Sequence, residues 1–586
     1  MAGEDRLSNL GDDLLRRILY FAPAKEAAAT SALSRRWRPL WRSSDAVNLA
    51  VRIHDDGGYC DDREAEEAFF SRRDAFVRAA KAALAAAGHV TRLTLHVEAD
   101  HGYHLLSRFL TRGMDWRVDH DVAGDLVAHP AARRVEELRV AAVEPSDGGY
   151  PDHEVMRPGL REDYSIGPLP SATLRVLDLT RFAPRTTAAF PRLMTLRLRL
   201  CTMDPNNLQA LLDAAPELTT VRLHSVYFTA PHQVPVPYDY HTTVMEEAPV
   251  VRLRFPAATA LELLLCSGFQ VVVPSRGGIE IDAPRLRSFR YKGLMRPFLL
   301  RSPAPDMARV DLHFVDNFAD HRRGDDDYDK DKPRVLFWAF VQSFTNARSL
   351  KLKVDSLWDI AVKGKAKRTR LLCAFPNVER LELGGMHDPA GNTAAVAIAN
   401  LLRCCPAVRD LCLKLSTVPS SSDKDSMYGD DFLERKDRLD YEKSVSRFTS
   451  RRMISSDGCS GGRCGDVSDI PGLSGRSFPC LQSCLRRVRL QFRLDKSSFG
   501  VRLVNFFAAN ATVLEEICVD SGNRRLSEHM NLDVESWIAP SNACFRRKNV
   551  ETSSWEFSKI RRVSLDSTRD LTNSATTLTV LPHQRE

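Results

Sequence analysis

The chain lacks long hydrophobic runs. No stretch of about eighteen or more consecutive apolar residues occurs, so no helical membrane span is expected. The N-terminus also lacks the charged-then-apolar layout of a secretory signal, which points to a reducing compartment, the nucleus and/or the cytoplasm. There is no Gly-rich phosphate loop, no G-x-S-x-G elbow and no His-Glu-x-x-His pair. Those gaps remove the common NTPase, hydrolase and zinc-protease chemistries, and the expected set of catalytic residues, cofactors and metals is none. A large excess of one charge is missing too. Against 76 acidic residues stand 83 Lys and Arg, a net +7, so nucleic acid is not the expected partner.

Cysteine is present but poorly organised, with an odd count of thirteen. Cys201, Cys266, Cys412 and Cys518 sit singly in apolar settings and read as small buried residues. Cys459-x4-Cys464 followed by Cys480-x3-Cys484 offers four thiolates, which zinc can use. The first pair, however, lies in a Gly/Ser-rich stretch and the second within an apolar repeat, so they read as structural. His101 and His104, near Cys60, lack ligand spacing. The basic run Lys363-x-Lys365-x-Lys367-Arg368-x-Arg370 reads as a solvated helix face, with a nuclear address or a nucleic-acid contact as the alternative.

What the sequence does have is concentrated first in residues 5–41, DRLSNLGDDLLRRILYFAPAKEAAATSALSRRWRPLW. Leu14 and Ile18, like Leu15 and Leu19, recur one turn apart on a helix. Asp12 and Asp13 suit its positive N-terminal end. Pro23 breaks the run and opens a second helix, Ala27 to Leu33 continue it, and Leu33, Trp37, Leu40 and Trp41 carry a third segment. So large an apolar load exceeds what a unit this short can bury on its own, so part of it is expected to meet another surface.

The order of these residues, ending in LSRRWRPLW, resembles a plant-type F-box. The resemblance implies docking on a Skp-type adaptor and, through it, on a cullin and a ubiquitin-conjugating enzyme. Leu10, Leu14, Ile18, Leu33 and Trp37 are the implied adaptor contacts or their immediate support. Two positions depart from the pattern: Gly11 stands where the family has proline, and Ala22 where it has a large apolar residue.

A second pattern fills most of the remaining chain: apolar, two variable, apolar, one variable, apolar, often after proline. It reads PRLMTLRL at 191–198, PELTTVRL at 216–223, PRLRSFRY at 284–291, PNVERLEL at 376–383 and PAVRDLCL at 406–413. The copy LMTLRLRLCTM satisfies the leucine-rich-repeat consensus in full, with Cys201 in its Asn/Cys slot. Each copy alternates like a half-buried strand. The copies place strands at about 93, 138, 177, 196, 221, 261, 289, 310, 350, 381, 411, 488 and 517. LVNFFAANATVLEEICV, at 503–519, resembles the start of the FBD module that follows repeats in plant F-box proteins.

The expected architecture is α/β: an N-terminal three-helix F-box followed by a curved leucine-rich-repeat solenoid. Its parts are an F-box at 1–45, a linker helix capping the solenoid at 46–89, and repeats at 90–416. A disordered insertion at 417–475, last repeats with an FBD-like segment at 476–545, and a tail at 546–586 complete it. The residue between the two strand leucines faces outward. It is Arg197, Arg222, Glu262, Arg290, Asp311, Lys351, Glu382 and Arg489 in successive copies, mixed but leaning basic; Arg197, Arg222, Arg290, Lys351 and Arg489 make a possible face for a substrate protein drawn in by charge, though exposed strand positions favour solvated residues in any case. The functional expectation is the substrate-recognition subunit of an SCF-type ubiquitin ligase, monomeric within its complex and itself non-catalytic. The alternative is a leucine-rich-repeat binding or scaffold protein with a degraded F-box.

Overall fold

The computed structural model describes residues 9–54, 63–100, 105–111, 120–144, 164–184, 188–229, 250–268, 278–315, 332–387, 391–417, 470, 472–473, 477–492 and 499–520. The expected insertion at 417–475 and the tail at 546–586 lie almost wholly outside them, as do His101, His104, Cys60, Cys459 and Cys464. The chain is mixed α/β and divides into two compact units, Met1–Leu350 and Lys351–Glu586.

In the first unit four short helical segments come first. These are α1 (Asp12–Leu19), α2 (Ala24–Ala29), a 3-10 turn (Thr30–Ala32) and α3 (Trp37–Leu40). A strand then runs from Ala46 to Ile53, and the long helix α4 from Arg63 to Ala86. The helix lies within the 46–89 span expected to hold one, and a strand precedes it there. Val47, Leu49 and Ile53 point inward from it, and without a leading proline or a full leucine triplet it carries too little of the repeat signature to be read.

From there the chain builds one parallel ladder, each strand paired with the next in sequence order. The Ala46–Ile53 strand pairs with Arg92–Ala99, then follow Glu137–Val143, Val176–Thr180, Thr195–Arg199, Thr220–His224, Ala260–Leu264, Ser288–Leu294 and Arg309–Val315. The second unit holds a ladder of the same kind, from Arg380–His387 through Asp410–Thr417 and Arg487–Phe492 to Glu516–Asp520. Each expected strand position from 93 to 517 falls in a strand. The cause is the period-two alternation: Leu196, Leu198, Val221, Leu223, Leu261 and Leu263 are all buried, while the residue between each pair faces the opposite side. The helix that links Thr195–Arg199 to Thr220–His224 follows ordinary start signals. Asp204 accepts a hydrogen bond from the Asn206 amide at 2.6 Å, Pro205 opens the helix Pro205–Asp213, and Leu208, Leu211 and Leu212 share its buried side.

One repeated device was not legible in the residue types. Arg181, Leu200, Ser225 and Leu265, each directly after a strand, have φ between 52° and 62°. Left-handed backbone costs a non-glycine residue about 1–2 kcal/mol. Each of the four donates its N–H to an outward-facing residue of the following strand in the ladder: Arg181 to the Arg199 carbonyl at 2.8 Å, Leu200 to His224 at 2.9 Å, Ser225 to Leu264 at 2.7 Å, and Leu265 to Lys292. The hydrogen bonds hold the turn and extend each ladder by one rung.

Candidate functional site: an exposed apolar face on an anchored helical cluster

In the N-terminal cluster the two leucine pairs of α1 part company. Leu15 and Leu19 pack with Ala27, Trp37 and Leu40, and Leu10, Ala22 and Trp41 lean against that core. Leu14 (54% exposed), Ile18 (48%), Phe21 (60%) and Leu33 (66%) project into solvent, whereas Trp37 is only 7% exposed. Exposed leucines are common singly. Here several large apolar side chains from one small cluster are left without cover by the described residues, as an interaction site requires. Of the five residues singled out in the sequence, Leu14, Ile18 and Leu33 lie outside, Trp37 lies in the core, and Leu10 is half-buried at its edge. Phe21 was missed as a candidate: it stands next to the helix end, off the i, i+4 stripes.

Local polar contacts set the cluster's shape. Arg36 donates to the Asp12 carboxylate at 2.7 Å and to the Leu10 carbonyl, tying α3 to the start of α1. Gly11 occupies the N-cap with φ −63° and ψ 153°, and a Cβ there would meet nothing within 4 Å. That φ is proline's own. Gly11→Pro is therefore expected to raise stability by about 0.4–1 kcal/mol through a less flexible unfolded chain, read as a higher urea midpoint with unchanged slope.

The cluster is seated on the ladder by two residues that sequence patterns did not mark. The Asn48 amide donates to the Tyr20 and Ala22 carbonyls, both at 2.9 Å, and its Oδ1 accepts from the Thr94 hydroxyl at 2.8 Å. The Arg92 guanidinium lies 5.1 Å from the ring centres of both Tyr20 and Phe21, which meet edge to face, so one cation contacts two rings. Asn48 is in register with Thr94, and that line continues through Arg139 and Asp178 to Arg197. The cluster thus sits at the start of the ladder's outward face. Removing the amide in Asn48→Ala strands two carbonyls and a hydroxyl, at an expected cost of about 1–3 kcal/mol, which thermal or urea unfolding reports.

On that face in the first unit, and on the strands of the second unit taken by itself, the expected cations are found outward, but most of them are matched. Arg197 meets Asp178 at 3.5 Å, Arg222 meets Glu262 at 3.3 Å, Arg290 meets Asp311 at 3.8 Å and Lys351 meets Glu382 at 3.8 Å. Arg489 is exposed, in register between Cys412 and Cys518. The carboxylates are the more buried partners, Asp178 with 4% and Asp311 with 11% of the side chain exposed, and the pairs neutralise these positions.

Among the described residues no group of three or more His, Cys, Asp or Glu could hold a metal, and no helix is long and apolar enough to cross a membrane. Burial pushes the Cys480 thiol up to about 11 and that of Cys404 up to about 12, so both stay protonated and unreactive near neutral pH.

Comparison with known proteins identifies the cluster: the F-box domain family matches residues 7–46. This segment is an F-box. Relatives include Arabidopsis thaliana F-box proteins, several of them named F-box/FBD/LRR-repeat proteins. An F-box/FBD/LRR-repeat protein is 49% identical over 51 residues, 9% of this chain and 12% of its own length. A protein provisionally named an FBD-associated F-box protein is 57% identical over 44 residues, 8% of this chain and 24% of its own. These matches take in the F-box and little more, so the chain covers a small part of either relative. A third, provisionally named an F-box/FBD/LRR-repeat protein, is 22% identical over 520 residues, 88% of this chain and 89% of its own. The F-box is thus the strongly matched part, and the ladder behind it is matched at length but faintly.

Proposed function

We propose that the chain is the substrate-recognition subunit of an SCF-type ubiquitin ligase. The F-box, as a three-helix unit, docks on a Skp-type adaptor and through it on a cullin. The parallel ladders are the rungs of a curved leucine-rich-repeat solenoid with an FBD-like segment in its last repeats, and the solenoid's outward face holds a target protein. The observation that carries this reading is the F-box with Leu14, Ile18 and Leu33 uncovered and its other side seated on the ladder through Asn48 and Arg92.

In this role the chain breaks and makes no bonds and needs no cofactor. It acts by proximity, raising the effective concentration of target lysines near a charged ubiquitin-conjugating enzyme. Arg197, Arg222, Arg290, Lys351 and Arg489 are the proposed target face, and the chain acts as a monomer within the complex. The test is reconstitution of the full chain with a Skp-type adaptor and cullin, followed by size-exclusion chromatography. A single co-eluting complex of one copy each supports the reading, and failure to bind the adaptor at micromolar concentration overturns it.

A further inference from the structure

Three arginine side chains are buried among the described residues, all of them in the first unit. Two have a carboxylate: Arg73 meets Asp74 at 2.9 Å, and Arg181 meets Glu144 at 2.8 Å. The third, Arg296, is 9% exposed and differs from both. Among the described residues its hydrogen bonds go to uncharged groups. Nη2 donates to the Cys266 carbonyl at 3.4 Å, which is long for such a bond. The guanidinium also donates to the Tyr291 hydroxyl, and that hydroxyl donates onward to the Leu294 carbonyl at 2.6 Å. Arg296 Nε is buried with no hydrogen-bond partner among the described residues.

Neither ionisable neighbour supplies the missing charge. Burial pushes the Cys266 thiol up to about 11 and raises the Tyr291 phenol above its ordinary range, so both are neutral near pH 7. A guanidinium, unlike an ammonium or an imidazole, cannot escape burial by losing its proton. A neutral partner satisfies an N–H and leaves the charge uncompensated, which is costly in an interior. The side chain is also held in place. Its backbone lies between the strands Ser288–Leu294 and Phe298–Leu300. Pro297, next in the chain, is exposed, so the guanidinium lies just beneath the surface.

We propose that Arg296 anchors a binding site for a small monocarboxylate. One guanidinium balances one negative charge, and Arg296 is the one cation acting on both Cys266 and Tyr291. A phosphate dianion would need a second. The planar fork of N–H donors matches a planar carboxylate, and the unpartnered Nε is one of the donors such a group would take. Tyr291 packs against Phe314 and Phe340 on its other sides, so the floor beneath the carboxylate is apolar and its hydrogen bonds are not diluted by water. The site lies wholly in the first unit and stands apart from the F-box and from the receptor reading.

The experiment uses the full-length chain without adaptor, with acetate as the probe and chloride replaced at constant ionic strength. Saturation-transfer NMR reads the acetate methyl, and a thermal melt reads the first transition. Wild type is expected to transfer saturation to acetate and to melt about 2 °C or more higher once acetate saturates it. R296M keeps the bulk and removes the charge. It is expected to lose both responses and to melt no lower than wild type in chloride. R296K keeps the charge without the fork and is expected to bind acetate about tenfold more weakly; it carries the test should R296M fold poorly. R301Q, at an exposed arginine, is expected to respond as wild type does. The proposal is overturned if acetate moves wild type no more than chloride, or if R296M and R296K both respond to acetate as wild type does. It also fails if R301Q loses the response, or if phosphate raises the melt further than acetate. Adaptor capture plays no part in these readouts, so their failure leaves the docking reading untouched.

Discussion

Leu14→Asp combined with Leu33→Asp is expected to abolish capture of a Skp-type adaptor while leaving the chain's unfolding temperature unchanged. Both side chains are more than half exposed, and neither belongs to the F-box core, so folding has little to lose. Binding has much more. Covering a leucine contributes about 1.5–3 kcal/mol, and a carboxylate in its place must be stripped of water without a partner. The two changes together should cost about 4 kcal/mol or more, close to a thousandfold in affinity. Isothermal titration against the adaptor and a circular-dichroism melt decide it. Retention of wild-type affinity in the double variant would sink the assignment of this face. Trp37→Asp is the useful contrast. It places a charge in the cluster's core, so it should lose the adaptor by unfolding the F-box and lower the melt with it.

The second large effect lies in the first unit's aromatic core, and it concerns folding alone. Phe340 projects from the helix Lys332–Gln342 into a group of rings. Its centroid is 4.3 Å from Phe298, 4.9 Å from Tyr291 and 5.1 Å from Phe314. These rings come from separate strands, and all of them are buried. Phe340→Ala is expected to cost about 3–5 kcal/mol, because the walls of the vacated space belong to several rigid strands and cannot collapse together. Urea unfolding of the full chain should show this as a lower midpoint for the first transition. A loss below about 1 kcal/mol would mean that the neighbouring rings close the gap.

How much of this could be read from the residues varies with the kind of information involved. The rung positions were legible because the leucine triplet states its own period, and burial of Leu196 and Leu198 leaves the chain no other register. The F-box was legible by residue order. Which pair of α1 leucines turns inward was not: Leu14/Ile18 and Leu15/Leu19 have the same spacing, and periodicity alone cannot rank two adjacent stripes. The mates of Arg197, Arg222 and Arg290 were present in the same slot of neighbouring copies, but only the pairing of strands brings Asp178, Glu262 and Asp311 beside them. Left-handed turns at Leu200, Ser225 and Leu265 carry no glycine or asparagine to announce them. Asn48 had no signal, because a single amide in a strand looks like any other polar residue until its partners arrive from residues 20 and 22.

Those partners are carbonyls, and this has a consequence for how the F-box and the ladder can change. Asn48 recognises the path of the chain at Tyr20 and Ala22 and is indifferent to the side chains they bear. The Asn48 share of the seat therefore survives exchange of those side chains, whereas the Arg92 share depends on the ring at position 20. Of the two fastenings, one reads the backbone and tolerates a change of side chain, and the other reads an aromatic ring and does not.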